Sequence, residues 1–554
     1  MVKLFKKTVH LLSRTQTNIL SAATVIMCAV AFSRVLGLFR DRLLAARFTP
    51  DALGVYYAAF RLPNMIFELL VMGALATAFI PVFTQYRDTK GDDEAFHLAS
   101  IVINIGIIVF VFISIPIAIF ATPISRMLAP GFKDDQIALM AQFTQIMILA
   151  QVFPLIIGNF LTGILQSFRN FLIPALAPVA YNLGIIVGIL LFSNALGLYA
   201  PVIGVVIGAV LFVLIQIPAV LAYGYRHRMS IQTSHPGARE VGKLMIPRTV
   251  GLGVSQIDST IDLILSSLMG AGAVTVFNFA QHLQQLPVGL FGASIAQATL
   301  PALSSAFAMK KDAEYKSIFL SSFNQILFLV VPLSVLLIVL RIPMVRLVFG
   351  SSILFDWEST VLTGKTLAFF SISLFAQSLV HLLARSFFAI HDTRTPVIIS
   401  VISVIVNILF SIWFVIFAKM PIWSLGLSTS IANIANMVLL LIFLDRKVHT
   451  LDRITLIVPA IKIMIAGFLS GVALYIPIKL LDQLVFDTTR TINLILLTGV
   501  ATTAGLTVYL LIAWVLGVDQ VSIITRIFGR ALTLRKGVVM DTTQEMVETG
   551  RSEV

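Results

Sequence analysis

Phe32-Ser33-Arg34-Val35-Leu36-Gly37-Leu38-Phe39-Arg40-Asp41 lies inside an apolar run covering about residues 19–46. A helix needs about 20 mostly apolar residues to cross a bilayer, and this run supplies them. A charge at mid-membrane depth costs at least about 2.5–3.5 kcal/mol, so it is rare there and faces protein interior or water. Arg34 nevertheless sits deep in the run, and the pair Arg40-Asp41 follows. The rest of the chain must therefore provide a scaffold that shields these charges from lipid.

The composition agrees. The chain has 554 residues, of which 58% are hydrophobic and 12% charged, where a soluble domain carries about 25% charge. This is the signature of an all-α polytopic membrane protein. The net charge of +13 reads as positive loops at a cytoplasmic face. No basic–aromatic patch of the nucleic-acid-binding kind occurs. The one cysteine, Cys28, lies in an apolar run, so no disulfide framework or metal cluster is expected. Residues 1–18 contain Lys3, Lys6, Lys7 and Arg14, with Phe5, Val9 and Leu12 on one helical face. They read as a basic interfacial N-terminus, not a cleavable signal.

The hydropathy pattern predicts fourteen spans, at roughly 19–46, 53–85, 98–122, 136–166, 174–195, 200–224, 241–269, 273–306, 317–340, 361–389, 396–418, 422–444, 456–480 and 492–517. Prolines and glycines within them predict kinks. With the N-terminus inside, Arg226, Arg228, Arg239, Lys243, Lys310, Lys311, Lys316, Arg446, Lys447 and Arg453 all fall on the cytoplasmic side. Both termini are then cytoplasmic, and residues 518–554 form a tail that is basic first (Arg526, Arg530, Arg535, Lys536) and polar and disordered from Asp541 to Val554. No connection is long enough for a soluble domain. The largest external one, near 341–360, holds Asp356 and Glu358, and Asp92-Asp93-Glu94 is a solvated cytoplasmic cluster. This argues against membrane glycosyltransferases and ligases, which carry a sizeable external loop or an acidic metal motif.

An internal repeat organises the spans. Ser33-Arg34-Val35-Leu36-Gly37-Leu38 matches Pro247-Arg248-Thr249-Val250-Gly251-Leu252. Gly73 to Pro81 matches Gly292 to Pro301. Arg169 followed by Asn182 matches Arg394 followed by Asn407. The offsets drift slowly, from about 214 to about 225, as expected of a duplicated six-helix unit. An even number of spans keeps both copies in one orientation. The expected fold is therefore two parallel-topology six-helix lobes, 19–224 and 241–444, plus two further helices at 456–517, with a cavity between lobes and alternating access.

At this level the chain resembles the MurJ (MviN) lipid II flippase family of the multidrug/oligosaccharidyl-lipid/polysaccharide exporter group. The residues that carry the resemblance are Ser33 to Gly37 with Arg40-Asp41, Ala59-Phe60-Arg61-Leu62-Pro63-Asn64, Ala78-Phe79-Ile80-Pro81, Leu286 to Gly292 with Leu300-Pro301, and Arg385 to Ala389 with Asp392 to Pro396. The resemblance implies movement of undecaprenyl-pyrophosphate-linked peptidoglycan precursor across the bacterial cytoplasmic membrane, cavity arginines on the pyrophosphate, and a lipid-tail groove at 456–517. It also marks departures. Gly54 stands where the family has an aspartate, with Asp51 one turn earlier; Phe67-Glu68 and His282 stand where it has arginines.

Each charged residue has a functional and a structural reading. Arg34 and Arg40 are about 120° apart on an ideal helix, with Gly37 between them to permit a bend. Their guanidinium forks suit phosphate oxygens. The structural alternative pairs Arg34 with Asp41. Arg61 is a cavity cation or a snorkelling anchor. Arg248 is the repeat partner of Arg34 or a cytoplasmic-end anchor. Asp258 and Asp262 share a helical face and suggest sodium or proton coupling; pairing with Arg248 or a lysine is the alternative. His282 is a pH-sensitive cation or a neutral ring held by Gln281 or Gln285. Asn182 and Asn407 are helix–helix hydrogen-bonding residues.

The expected substrate-binding set is thus Arg34, Arg40, Arg61, Arg248 and His282, with a lipid-linked anionic substrate, membrane lipids as the surroundings, no nucleic acid, and no cofactor beyond a coupling ion. A single chain is the expected working unit. Exporters of another lipid-linked oligosaccharide or a small molecule, and a non-transporting scaffold derived from a flippase, share the architecture. A cation-drug exporter would want an acidic cavity, and Arg34, Arg40 and Arg61 point the other way.

Overall fold

The computed structural model describes residues 19–69, 78–350, 354–448, 453–484 and 491–522. The expected interfacial N-terminus, most of the tail, the repeat segment at 70–77, and the side chains of Cys28 and Arg248 lie outside the described residues. Among the described residues every regular element is helical. The protein is a multi-pass membrane protein. Ten helices are long and apolar enough to cross a bilayer, or eleven if Trp357–Ser371 and Leu374–Ala389, bent by 44°, count as one span. These correspond to eleven of the fourteen expected spans. The other three expected spans fall on Ile19–Arg47, on Pro50–Ala59 with Arg61–Phe67, and on Pro236–Ser267. These carry Arg34, Arg40, Asp41, Arg61, Asp258 and Asp262.

Large apolar side chains such as Phe112, Ile119, Leu191, Phe468 and Trp514 are exposed. The solvent for this surface is therefore hydrocarbon. Without water to drive helices together, close backbone contact must hold them. Helices Leu172–Leu196 and Tyr199–Leu214 show how. A Cβ on Gly184 would lie 2.4 Å from the Gly208 Cα, and one on Gly188 2.3 Å from the Gly204 Cα. Two glycines four apart on each helix let the backbones touch. Two of the prolines stand beside π-helical turns. A π-helical turn, Met147–Val152, precedes Phe153-Pro154, and another, Val288–Ala293, follows Pro287. Proline has no N–H to close the α-helical ladder, and the wider turn absorbs the gap.

The contacts divide into two units. The first comprises Met1–Leu286, Ile342–Phe370 and Ser400–Ala432; the second comprises Pro287–Arg341, Ser371–Ile399 and Asn433–Val554. The expected set 19–224 falls wholly in the first unit, and the expected set 241–444 is divided between the two. The first unit holds Arg34, Arg40, Asp41, Arg61, Asp258, Asp262 and His282. In the second, Ser470 Oγ donates to Gly505 O at 2.8 Å and Tyr509 Oη to Phe328 O at 2.8 Å, tying the last two described helices to Asp312–Val339.

Candidate anion-binding cavity

Helix Ile19–Arg47 carries Ser33, Arg34, Gly37, Arg40 and Asp41 into the wall of a cavity of about 670 Å³. Helix Leu172–Leu196 contributes Pro174, Pro178 and Asn182, and helix Ala271–Pro287 contributes His282 and Gln285. A second cavity of about 430 Å³ lies beside it, lined by Tyr56, Tyr57, Arg61, Glu68, Tyr181, Asp262 and Asn278 among others. Arg40, His282 and Gln285 line both.

The side chain at the centre is Asp41, 2% exposed. Its Oδ1 accepts from Arg40 Nη2 at 2.8 Å and Nε at 3.0 Å, while Oδ2 lies 2.9 Å from His282 Nδ1. Tyr57 Oη reaches Oδ1 at 3.5 Å. Arg40 Nη1 donates to Asn182 Oδ1 at 3.2 Å, and the Asn182 amide donates to Pro178 O at 3.1 Å and Ser33 Oγ at 3.3 Å. A buried carboxylate holding one guanidinium is a satisfied pair. Removing either partner would leave an uncompensated charge at about 3–5 kcal/mol.

Arg34 stands apart. It is exposed to the larger cavity and has no ion pair among the described residues. The Arg34–Asp41 lock is not formed, because Arg40 and His282 already take both Asp41 oxygens. The partner of His282 is Asp41 rather than Gln281 or Gln285.

Arg61 is turned inward rather than to an interface. Its Nε donates to Thr260 Oγ1 at 3.0 Å, and its Nη2 donates to the backbone and side-chain oxygens of Gln256 at 2.5 and 2.7 Å. Gln256 in turn donates to Glu68. Asp258 and Asp262, on the same helix Pro236–Ser267, make no ion pair among the described residues. Asp258 accepts from Asn407 Nδ2 at 2.8 Å. Asp262 is buried and its Oδ1 has no hydrogen-bond partner. Pairing with a lysine is therefore not what holds them. Arg248 shares their helix, and its side chain lies outside the described residues.

The departures acquire physical reasons. A Cβ at Gly54 would meet the Ala271 carbonyl oxygen at 1.8 Å, so no side chain fits there. Asp51, one turn earlier, accepts from Gly272 N at 2.7 Å at the start of helix Ala271–Pro287. Phe67 packs against Leu155, Ala177, Ala209 and Phe212, away from either cavity, whereas Glu68 lines the smaller one. Sequence reasoning missed Tyr57, Tyr181 and Gln256 as members of the site. Nothing in their spacing marks them, because each reaches it from a different helix.

A protein-family model described as lipid II flippase MurJ matches residues 44–508. The chain belongs to the MurJ family. A probable lipid II flippase MurJ of Bdellovibrio bacteriovorus is 27% identical, over 93% of this chain and 98% of its own length. The lipid II flippase MurJ of Burkholderia cenocepacia is 28% identical, over 78% and 84%. Among solved structures, a lipid II flippase MurJ in an inward closed conformation superposes with a TM-score of 0.75 at 25% identity, covering 90% of this chain and all of that one. An inward-facing multidrug resistance MATE transporter of the MOP superfamily, with a TM-score of 0.63 and 17% identity, shares the fold. The MurJ family match begins at residue 44, so it includes Arg61, Asp258, Asp262 and His282 while Arg34, Arg40 and Asp41 lie upstream of it.

Proposed function

We propose that this protein is a flippase, a transporter and not an enzyme, for undecaprenyl-pyrophosphate-linked peptidoglycan precursor in the bacterial cytoplasmic membrane. The observation that carries the reading is the unpaired Arg34 beside the Asp41-held Arg40 in one cavity, in a chain of the MurJ family. A pyrophosphate entering this cavity meets Arg34 at full charge. It then competes with Asp41 for Arg40, whose fork matches phosphate oxygens as well as a carboxylate. Release of Arg40 leaves Asp41 to His282 alone and so strengthens the link between helices Ile19–Arg47 and Ala271–Pro287. Binding energy is thereby coupled to movement of the two helices, as alternating access requires. Because Arg40 and His282 line both cavities, the same residues stand at the boundary the head group must pass.

Arg61 and Arg248 complete the proposed substrate-binding set with Arg34, Arg40 and His282, and Asp258 and Asp262 form the proposed sodium- or proton-coupling pair. The unpartnered Asp262 oxygen and the Asn407-held Asp258 support that role. The two helices at 456–517 take the lipid tail, both termini are cytoplasmic, and one chain suffices. The test is complementation of a flippase-depleted bacterium by the wild-type chain. Growth supports the lipid II reading. Failure to complement by a protein that is made and inserted would favour another lipid-linked oligosaccharide.

A further inference from the structure

Outside the central cavities, the first unit carries a second built feature on its lipid-facing side. After helix Ile217–Ala222 the chain turns at Gly224, where φ is +91°, a left-handed conformation that glycine adopts without strain. Residues 225–230 then fold back along helix Asp92–Ile119. Asn104 Nδ2 donates to Arg228 O and Ser230 O, both at 2.9 Å, and Arg228 N donates to Ser100 Oγ at 3.2 Å. Tyr225 is buried, its Oη 3.3 Å from Ser100 Oγ and 3.0 Å from His227 Nδ1. At 1.5 Å per residue, Asn104 lies about 18 Å along a helix that starts at Asp92. The loop is therefore strapped beside the apolar part of the helix rather than beyond its end.

The strapped loop bears side chains of two kinds. Met229 is 92% exposed and Ile231 63%, and Arg226 and Arg228 are exposed beside them. Arg228 has only Asp93, at 4.0 Å, and Arg226 has no ion pair among the described residues. Burial lowers the His227 imidazole below its ordinary value, so the positive charge here is that of the two guanidiniums. Beside the loop lies an apolar slot of about 250 Å³, walled by Ile103, Ile107, Ile157, Leu161 and Val220 and lined also by Tyr225 and His227 of the loop.

We propose that this loop and slot form a binding site for an anionic phospholipid of the surrounding leaflet, one acyl chain in the slot and the phosphodiester at Arg226 and Arg228. The slot offers hydrocarbon walls, the loop offers donors that match phosphate oxygens, and Met229 and Ile231 extend the apolar contact along the chain. Under the orientation proposed above, the leaflet is the cytoplasmic one, where basic side chains meet anionic head groups at about 1 kcal/mol each. The lipid braces helices Asp92–Ile119, Phe153–Ser167 and Tyr199–Leu214 from outside, away from the substrate cavity.

The test uses the full-length protein in detergent, titrated with mixed micelles of phosphatidylglycerol, phosphatidylcholine or inorganic phosphate alone. Retained lipid is counted by native mass spectrometry and thermal stability is followed. Phosphatidylglycerol is expected to be retained and to raise the melting temperature more than phosphatidylcholine. The R226Q/R228Q double variant, altered only at exposed side chains, should weaken its apparent affinity about tenfold or more. Ile107→Trp, which fills the slot, should abolish retention at this site while the charges remain. Equal retention of the two lipids, or undiminished retention by the double variant, overturns the proposal. Stabilisation by inorganic phosphate equal to that by the lipid overturns it in favour of a simple anion site.

Discussion

Asn182 and Asn407 occupy corresponding places in the sequence repeat, and the structure gives them corresponding work on opposite charges. Asn182 Oδ1 accepts from Arg40, on the first described helix, at 3.2 Å; Asn407 Nδ2 donates to Asp258, on helix Pro236–Ser267, at 2.8 Å. Both asparagines are buried, at 8% and 3% exposure. A carboxamide has an acceptor at one side and two donors at the other, so one side chain can hold a cation or an anion by choosing its face. The amide is common to both places, while the residue across from it sets the sign. One half of the repeat thus presents a guanidinium suited to pyrophosphate, and the other a carboxylate suited to a cation.

The comparison can be broken at either end. The largest effect is expected from Arg34→Ala or Arg40→Ala, each of which should abolish complementation of a flippase-depleted strain, with unchanged protein on immunoblots for Arg34→Ala and a lower level for Arg40→Ala, which strands the buried Asp41. Full growth of both would remove the cationic half-site. Next, Asp258→Asn should strip transport of its dependence on sodium or on the proton gradient, yet leave binding of the pyrophosphate lipid within about twofold, since Asp258 lines neither cavity wall at Arg34. A loss of lipid binding equal to that of Arg40→Ala would show that the two halves are not separable. A smaller change should follow Asn182→Ala. It removes one hydrogen bond to a charged group, and substrate affinity should fall roughly tenfold. Asn407→Ala, by contrast, should shift ion dependence alone.

The smallest effect concerns the turns that precede the two asparagines. In the second copy Asp392 accepts from Arg394 N and Thr395 N at 3.1 Å each and pairs with Lys447. Burial raises its carboxyl, but the bonds from Lys447 and Thr395 outweigh that and hold it at about 2. A carboxyl depressed in the folded state stabilises above its ordinary value near 3.8 and loses that contribution as pH falls through about 2. Asp392→Asn should therefore lower the melting temperature slightly at pH 7, with the gap closing between pH 4 and 2. In the first copy Arg169 makes the turn at φ +58° and forms no ion pair among the described residues, so Arg169→Gln should show no such pH dependence.

Most of the fold was legible because hydropathy has long range in sequence. Eleven runs of sufficient length and apolarity appear as spanning helices in the structure, and π-helical turns stand beside Pro154 and Pro287. The candidate site was legible as a set of residue types. Arg34, Arg40, Arg61, Asp258, Asp262 and His282 all stand out because charge and imidazole are costly in hydrocarbon. Their partnerships were not. Arg34 and Asp41 share a face of one helix, which suggested a lock, but Arg40 and a histidine 241 residues away in sequence take the carboxylate instead. Gln256, which holds Arg61 and touches Glu68, looks like any polar residue in a spanning helix.

The sequence by itself determined that this chain is an α-helical membrane protein with arginines where lipid should be. It could do so because apolar length, charge depth and periodicity are properties of one helix at a time. Only the tertiary structure decided which charges are committed and which are free. Asp41 neutralises Arg40 and engages His282, and Arg34 is left open to the larger cavity. That outcome depends on angles and distances between helices far apart in sequence, where an ångström separates a hydrogen bond from an unpaired charge.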